Sequence, residues 1–153
     1  MNVRPATEAD LPEILRLLLD DRATPSDELL PDAPCYAAAL REMQASQVSC
    51  TYVAEHDGRI AGTFMLSFLR HLMRRGSLVA QIEAVRIDAP LRGRGLGAEM
   101  MRWAIGEARR RACSQLQLTS NLARKDAHRF YQRLGFRGSH LGMKLPLTHT
   151  ETK

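Results

Sequence analysis

The segment Arg92-Gly93-Arg94-Gly95-Leu96-Gly97 places three glycines at alternate positions, with two arginines among them. Glycine admits positive φ, so such a loop can turn several backbone N–H groups toward one point. From Leu96 the chain takes on helical periodicity: Leu96, Met100, Ala104 and Ala108 recur every four residues, and Met101 and Ile105 widen the stripe. The loop therefore meets a helix N-terminus, where unpaired N–H groups and the helix dipole favour an anion. Arg92 and Arg94 add full positive charge, and a pyrophosphate suits the site. A Walker loop is excluded, because Ala98-Glu99 follow where Lys-Ser or Lys-Thr is required. The dinucleotide fingerprint is excluded as well, since the spacing is G-x-G-x-G rather than G-x-G-x-x-G. The plainer alternative is a glycine-rich turn that caps a helix.

Just upstream, residues 78–88 are apolar on both alternating faces, as a strand covered on two sides should be. Glu83 breaks that pattern. A carboxylate there is expected to be desolvated, with a raised pKa, and to suit a general base that acts on an ammonium group directly or through a water. The alternatives are an ion pair with a nearby arginine or a position on the rim. Gln81 shares the face of Glu83 under strict alternation and helps line a pocket there. A second cluster runs from Asp126 to Phe136. Asp126 reads as an N-cap and Gly135 as the residue just past the helix end. Ala127, Phe130, Tyr131 and Leu134 share one face, and Tyr131 on its own reads as a core aromatic with its hydroxyl at the edge.

The elements that position these residues follow from periodicity and turn signals. A strand is expected over 2–5. Thr7-Glu8-Ala9-Asp10 resembles a capping box with Asp in the usual Glu or Gln place, and opens a helix to about residue 20 with Leu11, Ile14, Leu15 and Leu18 on one face. Residues 21–34, rich in Asp and Pro, read as loop, and 35–45 as a second helix. Strands over 48–55 and 59–72 flank the hairpin signal Asp57-Gly58. After the turn Arg74-Arg75-Gly76 come a strand over 78–88, the helix 96–112, a strand over 114–120, a helix over 126–134 and a last strand over 136–145. The order βααβββαβαβ implies an α/β (α+β) fold with a mixed central sheet and helices on both faces. One domain is expected over 1–147, with a polar tail over 148–153.

Composition bounds the rest. A chain of 153 residues, 44% hydrophobic and 25% charged, is a globular domain with a real core. It has no apolar run long enough to span a membrane and no signal-peptide core at MNVRPATEADL, so neither membrane nor export is expected. Cys35, Cys50 and Cys113 lack C-x-x-C spacing and read as reduced thiols in a cytoplasm. The five histidines show no ligand spacing, and no metal site is expected. The net charge of +5 comes with one Trp, three Tyr and four Phe, and no basic segment interleaves aromatics, so nucleic acid is not the expected partner. Arg109, Arg110 and Arg111 instead sit where cations oppose a helix dipole.

The loop R-G-x-G-x-G after a strand, the motif A-x-x-x-Y-x-x-x-G-F carried by Ala127, Tyr131, Gly135 and Phe136, and the order of elements resemble the GNAT superfamily of N-acetyltransferases over nearly the whole chain. That resemblance implies a sheet of six to seven strands and acetyl-CoA as cosubstrate. It implies that the backbone of Val85, Arg86 and Ile87 bonds the pantetheine arm. Gly93, Arg94, Gly95, Leu96, Gly97 and Ala98 would hold the pyrophosphate beside Arg92, and splayed strands around Ile87 and Leu118 would admit the thioester. Asn121 or Arg124 would meet the cofactor. The position seven before the tyrosine, often Asn in the superfamily, is Arg124 here, and Asn121 is one candidate substitute. Tyr131 would protonate the departing CoA thiolate as general acid, and Glu83 would help remove the ammonium proton.

The acceptor implied is a primary amine, a small molecule being favoured. The alternatives are a protein or peptide amine, or a non-catalytic acyl-CoA sensor that would lack the acid and base. Residues 126–131 (DAHRFY) with Ser139-His140 resemble the aminoalkylphosphonate N-acetyltransferases, and a phosphonate would give Arg70, His71, Arg74 and Arg75 a purpose. IEAV at 82–85 resembles enzymes of glucosamine-phosphate type. Asp20-Asp21 and Asp27-Glu28 could instead attract a cationic amine. A homodimer is common in the superfamily.

Overall fold

Alternating apolar residues build the strands, and two helical stripes cover them. A computed structural model of the chain describes residues 1–20, 34–145 and 147. These divide into two compact units, Met1–Leu118 and the residues from Thr119 onward. The first unit holds β1 (Asn2–Pro5), α1 (Leu11–Leu19), α2 (Cys35–Ser46), β2 (Ser49–His56), β3 (Arg59–Arg70), the single turn α3 (Met73–Gly76), β4 (Leu78–Ile87), α4 (Leu96–Arg110) and β5 (Cys113–Gln117). The second holds α5 (Lys125–Arg133). The loop expected over 21–33 and the tail over 148–153 lie outside the described residues, as do Asp21, Asp27 and Glu28. No described helix is long and apolar enough to cross a membrane.

The sheet order is β1-β2-β3-β4-β5. The first four strands are antiparallel, and β5 returns through α4 to lie parallel to β4. On one face Val53 packs with Ala6, Ile14 and Leu40, which seats α1 and α2. On the other, Tyr52 stacks on Phe64 at 5.2 Å between ring centroids, and Trp103 of α4 lies 5.0 Å from Tyr52 and 5.9 Å from Phe64. Met100, Met101 and Ala104 of the same helix are fully buried. Burying these side chains is the main favourable contribution, each worth roughly 1.5–3 kcal/mol for a large apolar group.

Two expectations need correcting. The described sheet has five strands, not six to seven, and residues 136–145 form no ladder. Leu141, Met143 and Leu145 do alternate, but they stay exposed, and α5 is the one regular element among the described residues of their unit, which leaves no strand there to pair with. Gly138 and Gly142 further raise the entropic cost of ordering that stretch. Asp126 is not the N-cap of α5 either. The helix starts at Lys125 after Arg124, and Asp126 in its first turn pairs with Arg129. Gly135 behaves as expected. With φ +94 it lets Phe136 N bond Tyr131 O at 3.1 Å and Gly135 N bond Gln132 O at 2.9 Å, the paired closure of a Schellman motif.

Candidate active site

The pairing of β4 changes along its length. Leu78 to Gln81 pair with β5, and after Gln81 that ladder ends. From Ile82 to Ile87 the edge of β4 that faced β5 therefore has no strand on it among the described residues, and within this stretch Val85 O accepts from Arg86 Nη1 at 3.0 Å and Ile87 O from an arginine side chain of the loop that follows. On the β3 side Thr63 pairs with Arg86 and Met65 with Glu83, so Ala84 and Val85 together oppose Phe64. This is a β-bulge, with Ala84 at φ +52. A left-handed alanine is strained, and such strain gathers at sites where backbone groups must be aimed.

Glu83 faces the same side as Met65, the side that α1 and α2 cover, and Gln81, opposite Ser67, shares it as expected. Glu83 is only half-buried. The full desolvation expected of a doubly covered strand is absent, because the buried positions Val79, Ala80 and Ile82 lie upstream while residues 83–87 open out. The ion pair offered as an alternative is absent too among the described residues.

β4 leads through the short turn Ala89–Leu91 into the glycine loop. Gly93 and Gly95 take φ +79 and +85, and Gly95 is the residue from which α4 starts. Ala98 N and Glu99 N both bond Gly95 O, at 3.0 and 3.1 Å, leaving the N–H groups of Leu96 and Gly97 to point from the helix end. The two arginines differ. Arg92 donates Nε to Ile87 O at 2.9 Å and Nη2 to Asp20 at 2.7 Å, so it ties the loop to the end of β4 and to α1. Asp88 adds a second tie, accepting from Arg16 at 2.9 Å. Arg94 is exposed and makes no ion pair among the described residues. The extra charge expected of both arginines is thus left to Arg94, while Arg92 is a brace.

The second unit carries Asn121, Arg124 and Tyr131. Arg124 N bonds Asn121 O at 3.0 Å, and His128 Nε2 lies 2.9 Å from the same oxygen, so both cofactor candidates sit in one turn ahead of α5. Asn121 Oδ1 accepts from Ala123 N at 2.9 Å, an Asx turn that leaves Nδ2 as the outward half of the amide. Tyr131 is half-buried, edge-on to Phe130 at 5.2 Å and to Phe136 at 5.8 Å. The bulge at Ala84, the bracing role of Arg92 and the contact between His128 and Asn121 leave no local pattern in the sequence.

Residues 11–136 match the Acetyltransferase (GNAT) family. The chain belongs to that family. An aminoalkylphosphonate N-acetyltransferase of Salmonella typhimurium is 33% identical over 88 residues, which is 58% of this chain and 56% of that protein, so the match spans little more than half its length. A glucosamine 6-phosphate N-acetyltransferase of Trypanosoma brucei brucei is 29% identical over 149 residues, 96% of each chain. Among solved structures, a transcriptional regulator from Bacillus halodurans C-125 superposes with a TM-score of 0.86 at 34% identity, covering 95% of this chain and 99% of the other.

Proposed function

We propose that this chain is an acetyl-CoA-dependent N-acetyltransferase that moves an acetyl group to the amine of a small molecule by direct attack in a ternary complex. The observation that carries the reading is the stretch of β4 from Ile82 to Ile87, bulged at Ala84 and with no strand along one edge among the described residues, running into a glycine loop at a helix N-terminus. An open strand edge fits the amide-bearing pantetheine arm, and converging N–H groups beside Arg94 fit a pyrophosphate. Val85, Arg86 and Ile87 bind the arm through their backbone. Gly93, Arg94, Gly95, Leu96, Gly97 and Ala98 hold the pyrophosphate, with Arg92 fixing the loop, and Asn121 or Arg124 supplies a further contact to the cofactor.

Bound acetyl-CoA supplies an activated thioester. Glu83 takes the ammonium proton, directly or through a water, and Tyr131 gives a proton to the leaving sulfur. Holding both reactants supplies much of the acceleration. The names of the Salmonella and Trypanosoma relatives support a small amine that carries phosphonate or phosphate. The family match runs across both units, which supports one acetyltransferase domain over 1–147.

The test is thiol release from acetyl-CoA across aminoalkylphosphonates, amino sugars and their phosphates, polyamines, amino acids and peptides. One amine class should turn over. Tyr131→Phe and Glu83→Gln should each lower kcat by about a hundredfold, the lower end of general acid–base contributions, with the affinity for acetyl-CoA kept. Saturable binding of acetyl-CoA with no thiol release for any amine would replace the enzyme with an acyl-CoA sensor.

A further inference from the structure

Three glutamine amides lie in file across β4 and β5, and an arginine stands at one end. Arg74 Nη1 donates to Gln115 Oε1. Gln115 Nε2 donates to Gln117 Oε1 at 2.9 Å, and Gln117 Nε2 donates to Gln81 Oε1 at 3.1 Å. All four residues belong to the first unit.

A side-chain amide is ambiguous by itself, because its oxygen and nitrogen can exchange places. Here the ambiguity is removed from one end. A guanidinium can only donate, so Gln115 must turn its oxygen to Arg74 and its nitrogen to Gln117. The same requirement passes to Gln117 and then to Gln81. Gln81 is left with its oxygen filled and its amino group outward. Among the described residues no hydrogen bond uses Gln81 Nε2. The residue that sets the polarity is itself held in place at a cost: Arg74 and Arg75 take φ +55 and +59, two successive non-glycine residues in the left-handed region. That turn lays Arg74 against β5.

Gln81 and Glu83 are next but one on β4 and share a face, roughly 6.6 Å apart along the strand. We infer that Gln81 is a specificity residue for the acceptor, and that the file running from Arg74 through Gln115 and Gln117 fixes it as a hydrogen-bond donor. The inference rests on the acetyltransferase reading above and sharpens it. The acceptor is a primary amine with an oxygen acceptor three or four bonds from nitrogen: the ammonium group meets Glu83 while the oxygen meets Gln81 Nε2. Gln115, Gln117 and Arg74 are positioning residues that act through Gln81. An amine with a bare alkyl group in that place leaves a donor unpaired, which costs more than the lost bond alone.

The test compares matched amines. 2-Methoxyethylamine offers an oxygen that can only accept, and n-butylamine has its shape without the oxygen. Aminomethylphosphonate, β-alanine and ethanolamine separate phosphonate, carboxylate and hydroxyl as the natural source of that oxygen. The wild type should favour 2-methoxyethylamine over n-butylamine in kcat/KM by about tenfold, mostly through KM, as one hydrogen bond warrants. Gln81→Leu should bring the ratio to about one. Gln117→Glu keeps the shape of the file but cannot donate, so Gln81 must turn its nitrogen inward and its oxygen outward. Its ratio should fall to one or below, and the added charge cancels because both amines carry the same cation. Arg74→Ala, which leaves all three amides in place, should lower the ratio partway. Thermal denaturation of each variant verifies that it is folded. A wild-type ratio of one, or a ratio preserved in Gln117→Glu, overturns the inference while acetyl transfer stands. The absence of thiol release with every amine overturns acetyl transfer and the inference together.

Discussion

Gly62 pairs with Ile87 at the end of the β3–β4 ladder, and a Cβ at residue 62 would lie 2.7 Å from the Arg86 carbonyl oxygen and 2.8 Å from Ile87 Cδ1. The close approach sets the position of the backbone assigned to the pantetheine arm. Gly62→Ala cannot be relieved by a side-chain rotation, since the nearest atom is main chain. The expected cost is about 1–3 kcal/mol of stability, together with weaker acetyl-CoA binding as Arg86 and Ile87 are pushed outward. Thermal denaturation and calorimetric titration check the pair of effects. Loss of stability with unaltered affinity would mean that this stretch of β4 does not hold the cofactor.

Arg92 and Arg94 lie two residues apart and should fail differently when truncated. Arg92→Ala removes the bonds to Ile87 O and Asp20, so both the melting temperature and acetyl-CoA affinity should fall. Arg94→Ala removes only an exposed charge beside the loop. Its melting temperature should match the wild type, while its Kd for acetyl-CoA rises about tenfold at low salt and by less at high salt, as screening removes the advantage of the wild type. Equal melting temperatures for both variants would show that Arg92 is not a brace.

What could be read from the sequence depended on whether a residue type has one dominant local use. The three glycines before a periodic apolar stripe could be read because positive φ and a helix start constrain type and spacing, and Gly135 could be read for the same reason. Glu83 and Gln81 fell on one face because alternation holds as far as residue 83. The bulge that follows could not be read, since an alanine at φ +52 has no compositional signature. The amide file depends on which residue of β5 stands opposite Gln81, a register that no local pattern reports. Residues 136–145 misled because alternation reports a preference for a covered face and not the presence of a partner. Asp126 misled because an acidic residue in the first turn is favoured by the helix dipole whether or not it caps.

The cysteines test direct transfer against an acyl-cysteine intermediate. Burial pushes the Cys50 and Cys113 thiols above their ordinary pKa, which lowers the thiolate fraction at neutral pH, while Cys35 is exposed. Iodoacetamide should label Cys35 first and the other two slowly. Cys35→Ser, Cys50→Ala and Cys113→Ala should each retain turnover within about twofold, as substitutions away from the chemistry usually do. Mass spectrometry of protein incubated with acetyl-CoA should find no acetylated cysteine. A trapped thioester on any of the three would replace the ternary complex with a double-displacement route.

Acid should loosen the unit that holds the glycine loop by way of Asp10. Its carboxylate accepts from Arg4 Nη1 at 2.7 Å, Arg4 Nη2 at 2.9 Å, Thr7 N at 2.7 Å and Thr7 Oγ1 at 2.9 Å, and the side chain is nearly buried. The Arg4 guanidinium, helped by Thr7, outweighs burial and holds the pKa down at about 2, from 3.8. Because the folded value is the lower one, the stabilisation is complete above the unfolded pKa and is lost as pH falls through the folded one. The shift is worth about 2 kcal/mol. The wild type should therefore melt higher than Asp10→Asn above about pH 5, and the two curves should converge near pH 2. The loss reaches the site because α1 starts at this lock and ends beside Asp20, the partner of Arg92. Acetyl-CoA affinity in Asp10→Asn should thus fall along with the melting temperature. A constant gap between the two melting curves from neutral pH to pH 2 would show that the carboxylate contributes through shape rather than charge.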